Sequence, residues 1–231
     1  MNIYYVIKIH LMYLKILYEE EIEMRVVEPS VSIESTLTQD EAMKLIERAG
    51  RVCYKSEGRI TDDSAQQFIK GILNRGHESV IEHISITVRV ICDRGVTHEI
   101  VRHRIASYSQ ESTRYCNYTQ DKFSNEITVI SPSFWEKDSK IYKIWEEGMK
   151  ACEEAYFALI DAGAKPQEAR TVLPNSLKTE IVMTMNFREW RHFFKLRCSS
   201  AAHPQMQQVA NMIFKQFKEK YPMFVDDIVI D

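Results

Sequence analysis

Residues 102–115, RHRIASYSQESTRY, gather three arginines, a histidine, a glutamine and several hydroxyl side chains into fourteen positions. Groups of this kind form charge-assisted hydrogen bonds worth roughly 1.5–3 kcal/mol each with an anion. In an extended segment Gln110, Ser112 and Arg114 recur at every second residue and share one face. That face offers an amide, a hydroxyl and a guanidinium together, a set suited to a phosphorylated or polyoxygenated small molecule. On a helix, where each residue turns by about 100°, Arg102 and Arg104 would point about 200° apart. The triplet therefore belongs at a helix end, or its members face different binding sites. The plainer reading pairs these arginines with nearby acids such as Glu99 and Glu111 on a solvated surface. Their density argues against it.

The bulk composition gives no general reason for such a cluster. The chain has 231 residues, 45% hydrophobic and 27% charged, with a net charge of −3. That supports an ordinary core in one large domain or two small ones, and gives no basic surface to attract nucleic acid or anionic lipid. The cysteines (Cys53, Cys92, Cys116, Cys152 and Cys198) are scattered and include no C-x-x-C. They fit a reducing cytoplasm better than a disulfide framework. Residues 3–18 are apolar, but Lys8, His10 and Lys15 interrupt them and Glu19-Glu20-Glu21 follows. The stretch is too short and too charged for a membrane span, and its end is wrong for a signal peptide. Met24 reads as a natural start, so residues 1–23 are expected to be a dispensable extension and 24–231 a single domain.

Several elements can be expected to position the cluster. Thr38 with Glu41 has the form of a capping box, and Ala42, Leu45, Ile46 and Ala49 carry a helix to about Tyr54. A second helix fits 62–74, with Phe68, Ile69, Ile72 and Leu73 inward and Gly76 as its stop. Ile84, Ile86, Val88 and Val90 alternate with Ser85, Thr87 and Arg89, which predicts a strand. A short helix is expected over 97–103 and a strand over 127–130. Ser131-Pro132 reads as a cap and first-turn proline. The helix it opens would run to Gly163 with Ile141, Trp145, Met149, Cys152, Tyr156 and Leu159 as its stripe. A short helix over 166–172 stops at Pro174, and Ile181, Met183 and Met185 mark a strand. Asn186 with Glu189 caps a helix to Leu196, and a last helix over 204–221 turns Met206, Val209, Ile213 and Phe217 inward. Without strict βαβ alternation, the pattern predicts an α+β fold, a mixed sheet flanked by helices.

Arg102-His103-Arg104, seven residues, and then Ser112 match an RHR-x7-S signature. Extended by HEIVRHR (98–104) and SYSQESTRY (107–115), the stretch resembles the flavin-dependent thymidylate synthases. GHESVIEH (76–83), EARTVLP (168–174) and MNFREWRHFFKLR (185–197) resemble further elements of that family, and the likeness spans roughly residues 24–222. It implies a thymidylate synthase-complementing-protein-like domain that methylates dUMP to dTMP. The carbon would come from 5,10-methylenetetrahydrofolate, the reducing equivalents from NADPH, and FAD would carry the hydride. It further implies a cytoplasmic homotetramer with shared active sites, and no nucleic-acid, membrane or metal partner.

By the same resemblance, FAD would lie along Arg102, His103, Arg104, Ile105, Gln110, Asn186, Arg188 and His192, with Ser79 and Glu82 from another subunit. Glu99, Arg102, Gln110, Ser112, Thr113, Arg114, Arg170 and Arg197 would hold dUMP, Arg114 and Arg170 at its phosphate. Arg197 would be the catalytic residue, polarising the uracil ring and helping to ionise N3, and His77 would lie on the folate side. Ser112 has no evident base partner, and no cysteine sits in a motif for attack on the ring, so Ser112 is read as a binding group. Two departures stand out. Cys53 takes a place where several relatives carry serine, and SSAAHPQMQQ (199–208) follows the family only loosely.

Two rivals are weaker. A zinc site at His77, Glu78, Glu82 and His83 lacks H-E-x-x-H, and on a helix the two histidines would point about 240° apart. A nucleic-acid-binding module using Arg89, Arg94, Arg102, Arg104 and Arg114 lacks both a lysine excess and a recognisable motif. Trp145, Tyr156, Phe193 and Phe194 read as core packing at helical spacing rather than a cofactor box.

Overall fold

The computed structural model describes residues 24–119 and 126–230, so the expected extension at 1–23 lies outside the described residues. In chain order come β1 (Arg25–Val27), β2 (Ser30–Ile33), α1 (Gln39–Arg51), α2 (Ser64–Asn74), β3 (Ser85–Asp93), α3 (Arg94–Ile100) and β4 (Ser107–Gln110). Then come β5 (Thr128–Ile130), α4 (Lys140–Asp161), α5 (Pro166–Ala169), β6 (Lys178–Asn186), α6 (Phe187–Arg197) and α7 (Pro204–Lys220). Short 3-10 turns include Val52–Tyr54, Glu78–His83, Arg170–Val172 and Pro222–Phe224.

The main sheet has the order β2-β3-β6-β4 with antiparallel neighbours, while β1 and β5 pair in parallel. Helices with mixed pairing make the α+β fold that the sequence predicts. The alternation in β3 sets the register. Ile86, Val88 and Val90 stand opposite Met185, Met183 and Ile181, and all six side chains are buried. Burying each such side chain contributes roughly 1.5–3 kcal/mol, so a one-residue slip, which would turn this face to water, is strongly disfavoured. Against it pack α1, α2, α6 and α7, with Phe187, Trp190, Phe193, Phe194 and Phe217 at the centre. The Trp190 Nε1–H donates to the Ile86 carbonyl at 3.0 Å, which satisfies the one polar atom of that ring. A second, smaller cluster joins Met24, Tyr118, Ile127, Val129, Tyr156, Ala169 and Leu177, with Trp145 packed against it. Trp145, Tyr156, Phe193 and Phe194 therefore serve the core, divided between two clusters.

Local signals hold at most helix ends. Thr38 and Glu41 form both bonds of a capping box. Gly76 adopts φ +69°, its N–H bonded to Leu73 O and that of His77 to Ile72 O, the left-handed stop that closes α2. Other expectations are corrected. The long helix starts at Lys140, where Ser139 accepts from the Tyr142 N–H, and not after Ser131-Pro132. The Ser131 N–H instead bonds Val27 O, prolonging the β1–β5 pairing and keeping Ser131 out of a helix. The stripe of α4 holds at Trp145, Met149, Tyr156 and Leu159, which join the smaller cluster, and differs in the first turn, where Tyr142 is buried and Ile141 is 54% exposed. Helix α3 begins at Arg94, earlier than expected, because Asp93 caps it by accepting the Val96 N–H at 2.7 Å. It ends at Ile100, so Arg102, His103 and Arg104 lie beyond its end.

Candidate active site

Asp93 and Asn186, at the C-terminal ends of adjacent antiparallel strands, cap α3 and α6. Since Ser85 pairs with Asn186, these helices start from opposite ends of the sheet. Eleven residues of α6 span about 16 Å, enough to bring its C-terminal end back to that of α3. There Arg197 meets Glu99. Its Nη1 donates to Glu99 Oε2 at 2.8 Å and its Nη2 to the Glu99 carbonyl at 3.1 Å. Its Nε donates to His103 Nε2 at 3.1 Å. The other ring nitrogen, Nδ1, lies 2.9 Å from Glu189 Oε1.

Because His103 Nε2 accepts from a guanidinium, Nδ1 carries the proton that Glu189 accepts. The ring is neutral in this arrangement. Burial is the chief cause that holds the His103 pKa below its ordinary value, and the Arg197 cation adds to it, while Glu189 opposes both. The Tyr108 hydroxyl bridges the carbonyls of Ile100 (2.9 Å) and His103 (2.6 Å), fixing the backbone of the triplet. Burial pushes that phenol up to about 12.

Next to this chain of bonds lies a cavity of about 500 Å³. Its wall combines the carboxylates of Glu78, Glu82 and Glu189 with Arg188, Lys195, Asn186, His192 and Ile105. Arg188 Nη1 donates to Glu82 Oε1 at 2.6 Å, and Arg191 Nε to Glu78 Oε1 at 2.9 Å. Of the positions expected at a flavin, Glu82, Ile105, Asn186, Arg188 and His192 meet here, Glu82 within the same chain as the others and not, as expected, from another subunit. Among the described residues, the lining does not include Ser79, Arg102, His103, Arg104 or Gln110. Ser79, Arg102, Arg104 and His77 are exposed.

A third group sits around Ser112. Strand β4 ends at Gln110, and the Ser112 carbonyl accepts the N–H groups of Tyr115 (3.1 Å) and Cys116 (2.9 Å). This turn corrects the expectation of one extended face carrying Gln110, Ser112 and Arg114. Gln110 Nε2 is directed at Thr97 Oγ1 (3.1 Å) and Thr179 Oγ1 (3.3 Å), between α3 and β6. Thr113 is buried, and Arg114 Nε donates to Gln167 Oε1 at 3.3 Å. Gln167 belongs to α5, after which Arg170 opens a 3-10 turn, so Arg114 is tied to the segment that presents Arg170. Glu111 pairs with Lys178 at 2.9 Å, and Glu99 with Arg197. The arginines of 102–115 are thus not neutralised by these acids as a plain surface cluster would be.

The sequence missed Glu189 as a site residue. It reads as the partner of the Asn186 cap, and its N–H does donate to Asn186 Oδ1 at 2.9 Å, but its carboxylate is aimed at His103. Among the described residues, His103, Glu189 and His192 have the geometry to hold a metal ion, their ligand atoms lying within 4.8 Å of one another. This is not the histidine–glutamate set considered from the sequence. Both ring nitrogens of His103 are hydrogen-bonded to protein groups, and those bonds account for the grouping. Nor did the sequence point to Arg191 or Lys195; a motif marks the positions a family shares and says nothing of what supports them.

A family model described as thymidylate synthase complementing protein matches residues 34–223. The chain belongs to this family, that of the flavin-dependent thymidylate synthases. The flavin-dependent thymidylate synthase of Geobacter sulfurreducens is 37% identical over 186 residues, covering 78% of this chain and 78% of the relative. That of Pyrococcus furiosus is 36% identical over 177 residues, covering 76% and 72%. A UMP/dUMP methylase, PolB from Streptomyces cacaoi, solved with 5-Br dUMP bound, superposes with a TM-score of 0.71 at 21% identity, over 87% of this chain and 95% of that one. It shares the fold of this family member. No helix among the described residues is long and apolar enough to cross a membrane.

Proposed function

We propose that this chain methylates dUMP to dTMP as a flavin-dependent thymidylate synthase, with 5,10-methylenetetrahydrofolate as carbon donor and NADPH as reductant. One observation carries the reading. A single hydrogen-bonded chain, Glu99–Arg197–His103–Glu189, runs from positions expected at the nucleotide to the wall of the cavity expected to hold the flavin.

The residues of the cavity suit FAD. Glu82 can accept from ribose hydroxyls, Arg188 and Lys195 can face a pyrophosphate, and the exposed Ile105 offers apolar surface to a ring. Bound there, FAD would supply the hydride. This chain's own residues would position and polarise. Arg114 and Arg170 would hold the phosphate, and Ser112 and Thr113 the nucleotide near it. Arg197 would face the pyrimidine edge, where a cation stabilises the negative charge that develops as C5 becomes nucleophilic.

Ser79, Arg102, Arg104 and His77 would complete the site from neighbouring copies in a homotetramer. The cytoplasm remains the compartment we assign, in keeping with free cysteines at all five positions.

The test is the visible spectrum of the purified protein after FAD addition and desalting, followed by assay for dTMP. Retained oxidised flavin with dTMP formation supports the reading; a colourless protein that refuses FAD overturns it. Replacing Arg170 with alanine is expected to weaken dUMP binding roughly tenfold or more, the low end for a lost charge-assisted bond at an exposed site. Binding of deoxyuridine, which has no phosphate, should hardly change. Unaltered dUMP affinity would remove Arg170 from the site.

A further inference from the structure

We infer that Glu189 is a positioning residue for Arg197, acting through the imidazole of His103. The turnover part of this inference rests on the thymidylate synthase reading; the geometric part does not. Glu189 is buried at the start of α6, and His103, itself buried, lies 86 positions away in sequence. The Glu189 amide serves the helix cap, leaving its carboxylate for the ring.

The tautomer decides whether the imidazole can receive the guanidinium. With the proton on Nδ1, the Nε2 lone pair points at the Arg197 Nε–H, 3.1 Å away. With the proton on Nε2, or on both nitrogens, two N–H groups would oppose each other at that contact. A carboxylate on Nδ1 selects the first state, because it can only accept. Glu99 then holds the far side of the guanidinium at Nη1 and Nη2. Arg197 is thereby fixed from both sides, and Glu189 sets one of them without touching it.

Packing holds the His103 ring independently of the carboxylate. Its centroid lies 5.0 Å from that of Phe193 and 5.6 Å from that of His192. Removing the carboxylate should therefore leave the ring in place and change its tautomer, which separates positioning from plain structural support.

The experiment uses Glu189→Ala and Glu189→Gln in the full chain. For alanine, dTMP turnover is expected to fall by up to about 100-fold with the dUMP KM within about twofold of wild type, both measured at saturating FAD because Glu189 also lines the cavity. Glutamine can still accept from Nδ1–H, so it should recover part of the loss and fall only about tenfold. In flavin-free, ¹⁵N-histidine-labelled protein, the His103 signals, assigned by their loss in His103→Gln, should move from the Nδ1–H toward the Nε2–H pattern in Glu189→Ala. If the alanine variant does not fold, Glu189→Leu, which likewise cannot accept from Nδ1–H, carries the same readouts. An unchanged tautomer in Glu189→Ala overturns the inference, as does turnover within twofold of wild type at saturating FAD. If the wild-type protein makes no dTMP yet the tautomer shifts, the assigned reaction fails while the link from Glu189 to His103 stands.

Discussion

Arg197→Ala is expected to lose dTMP formation by about 100- to 1,000-fold while keeping its flavin. C5 of uracil is a poor nucleophile, and the charge that builds on the pyrimidine during attack needs an oriented cation at the ring edge. Deleting one preorganised donor of that kind costs about 10²–10³ in kcat, or about 2.7–4 kcal/mol. Arg197 is well placed for such work because Glu99 and His103 already fix its plane, so little reorientation accompanies the reaction. It does not line the cavity proposed for FAD, which is why cofactor retention and catalysis should separate. Arg197→Lys is the informative control. Lysine restores the charge but not the planar fork that meets two partners, so it should recover only a minor part of the rate. Measured kcat beside the flavin spectrum checks both variants; near-normal turnover in Arg197→Ala would refute the role.

The second large effect concerns stability. Arg191→Met should destabilise the fold by about 3 kcal/mol, the low end of the range for breaking a buried ion pair, because one of its partners remains half in water. The Arg191 side chain is 3% exposed. It donates to both carboxylate oxygens of Asp227 at 2.6 Å, to the Phe224 carbonyl at 2.7 Å and to Glu78 at 2.9 Å. Methionine fills similar apolar volume, so the loss comes from the groups left without a partner. Glu78 also lines the cavity, and the variant should hold flavin less firmly.

Asp227 contributes one component of the pH dependence. Its hydrogen bonds to Arg191 hold its pKa below the ordinary value of 3.8. A carboxyl whose folded pKa is depressed adds stability that is complete above the unfolded pKa and is lost as pH falls through the folded one. Wild-type stability should therefore drop below about pH 4, and the Arg191→Met variant should lack this component. Denaturant titrations at pH 7 and near pH 3 measure both quantities. An unchanged midpoint in Arg191→Met at pH 7 would mean that the network contributes nothing net.

Strands β3 and β6 were legible because nine residues with one buried face repeat the two-residue period several times over. Strands β1, β2 and β4 have three or four residues, too few for any period to emerge. Helix α6 announced its start through Asn186, whereas Ser131-Pro132 imitated a start, since the competing bond from Ser131 to Val27 lies a hundred residues back in the chain. The site obeyed the same rule. Its motifs were visible one by one, and the links between them were not. Glu99 meets Arg197 across 98 positions, a distance closed only by the pairing of β3 with β6 and the direction of the helices that succeed them.

The division of the interior into two hydrophobic clusters has a mechanical consequence. Arg197 ends a helix rooted in the larger one, beside Phe193 and Phe194. Arg170 follows Ala169, which is anchored in the smaller one together with Val172 and Leu173. Regions with few buried apolar contacts open at lower free energy than the main core. The arginine assigned to the phosphate thus rides on the softer part of the molecule and the arginine assigned to the ring on the stiffer part. A nucleotide that touches both would act as a splint between them, rigid at its base and pliant at its phosphate.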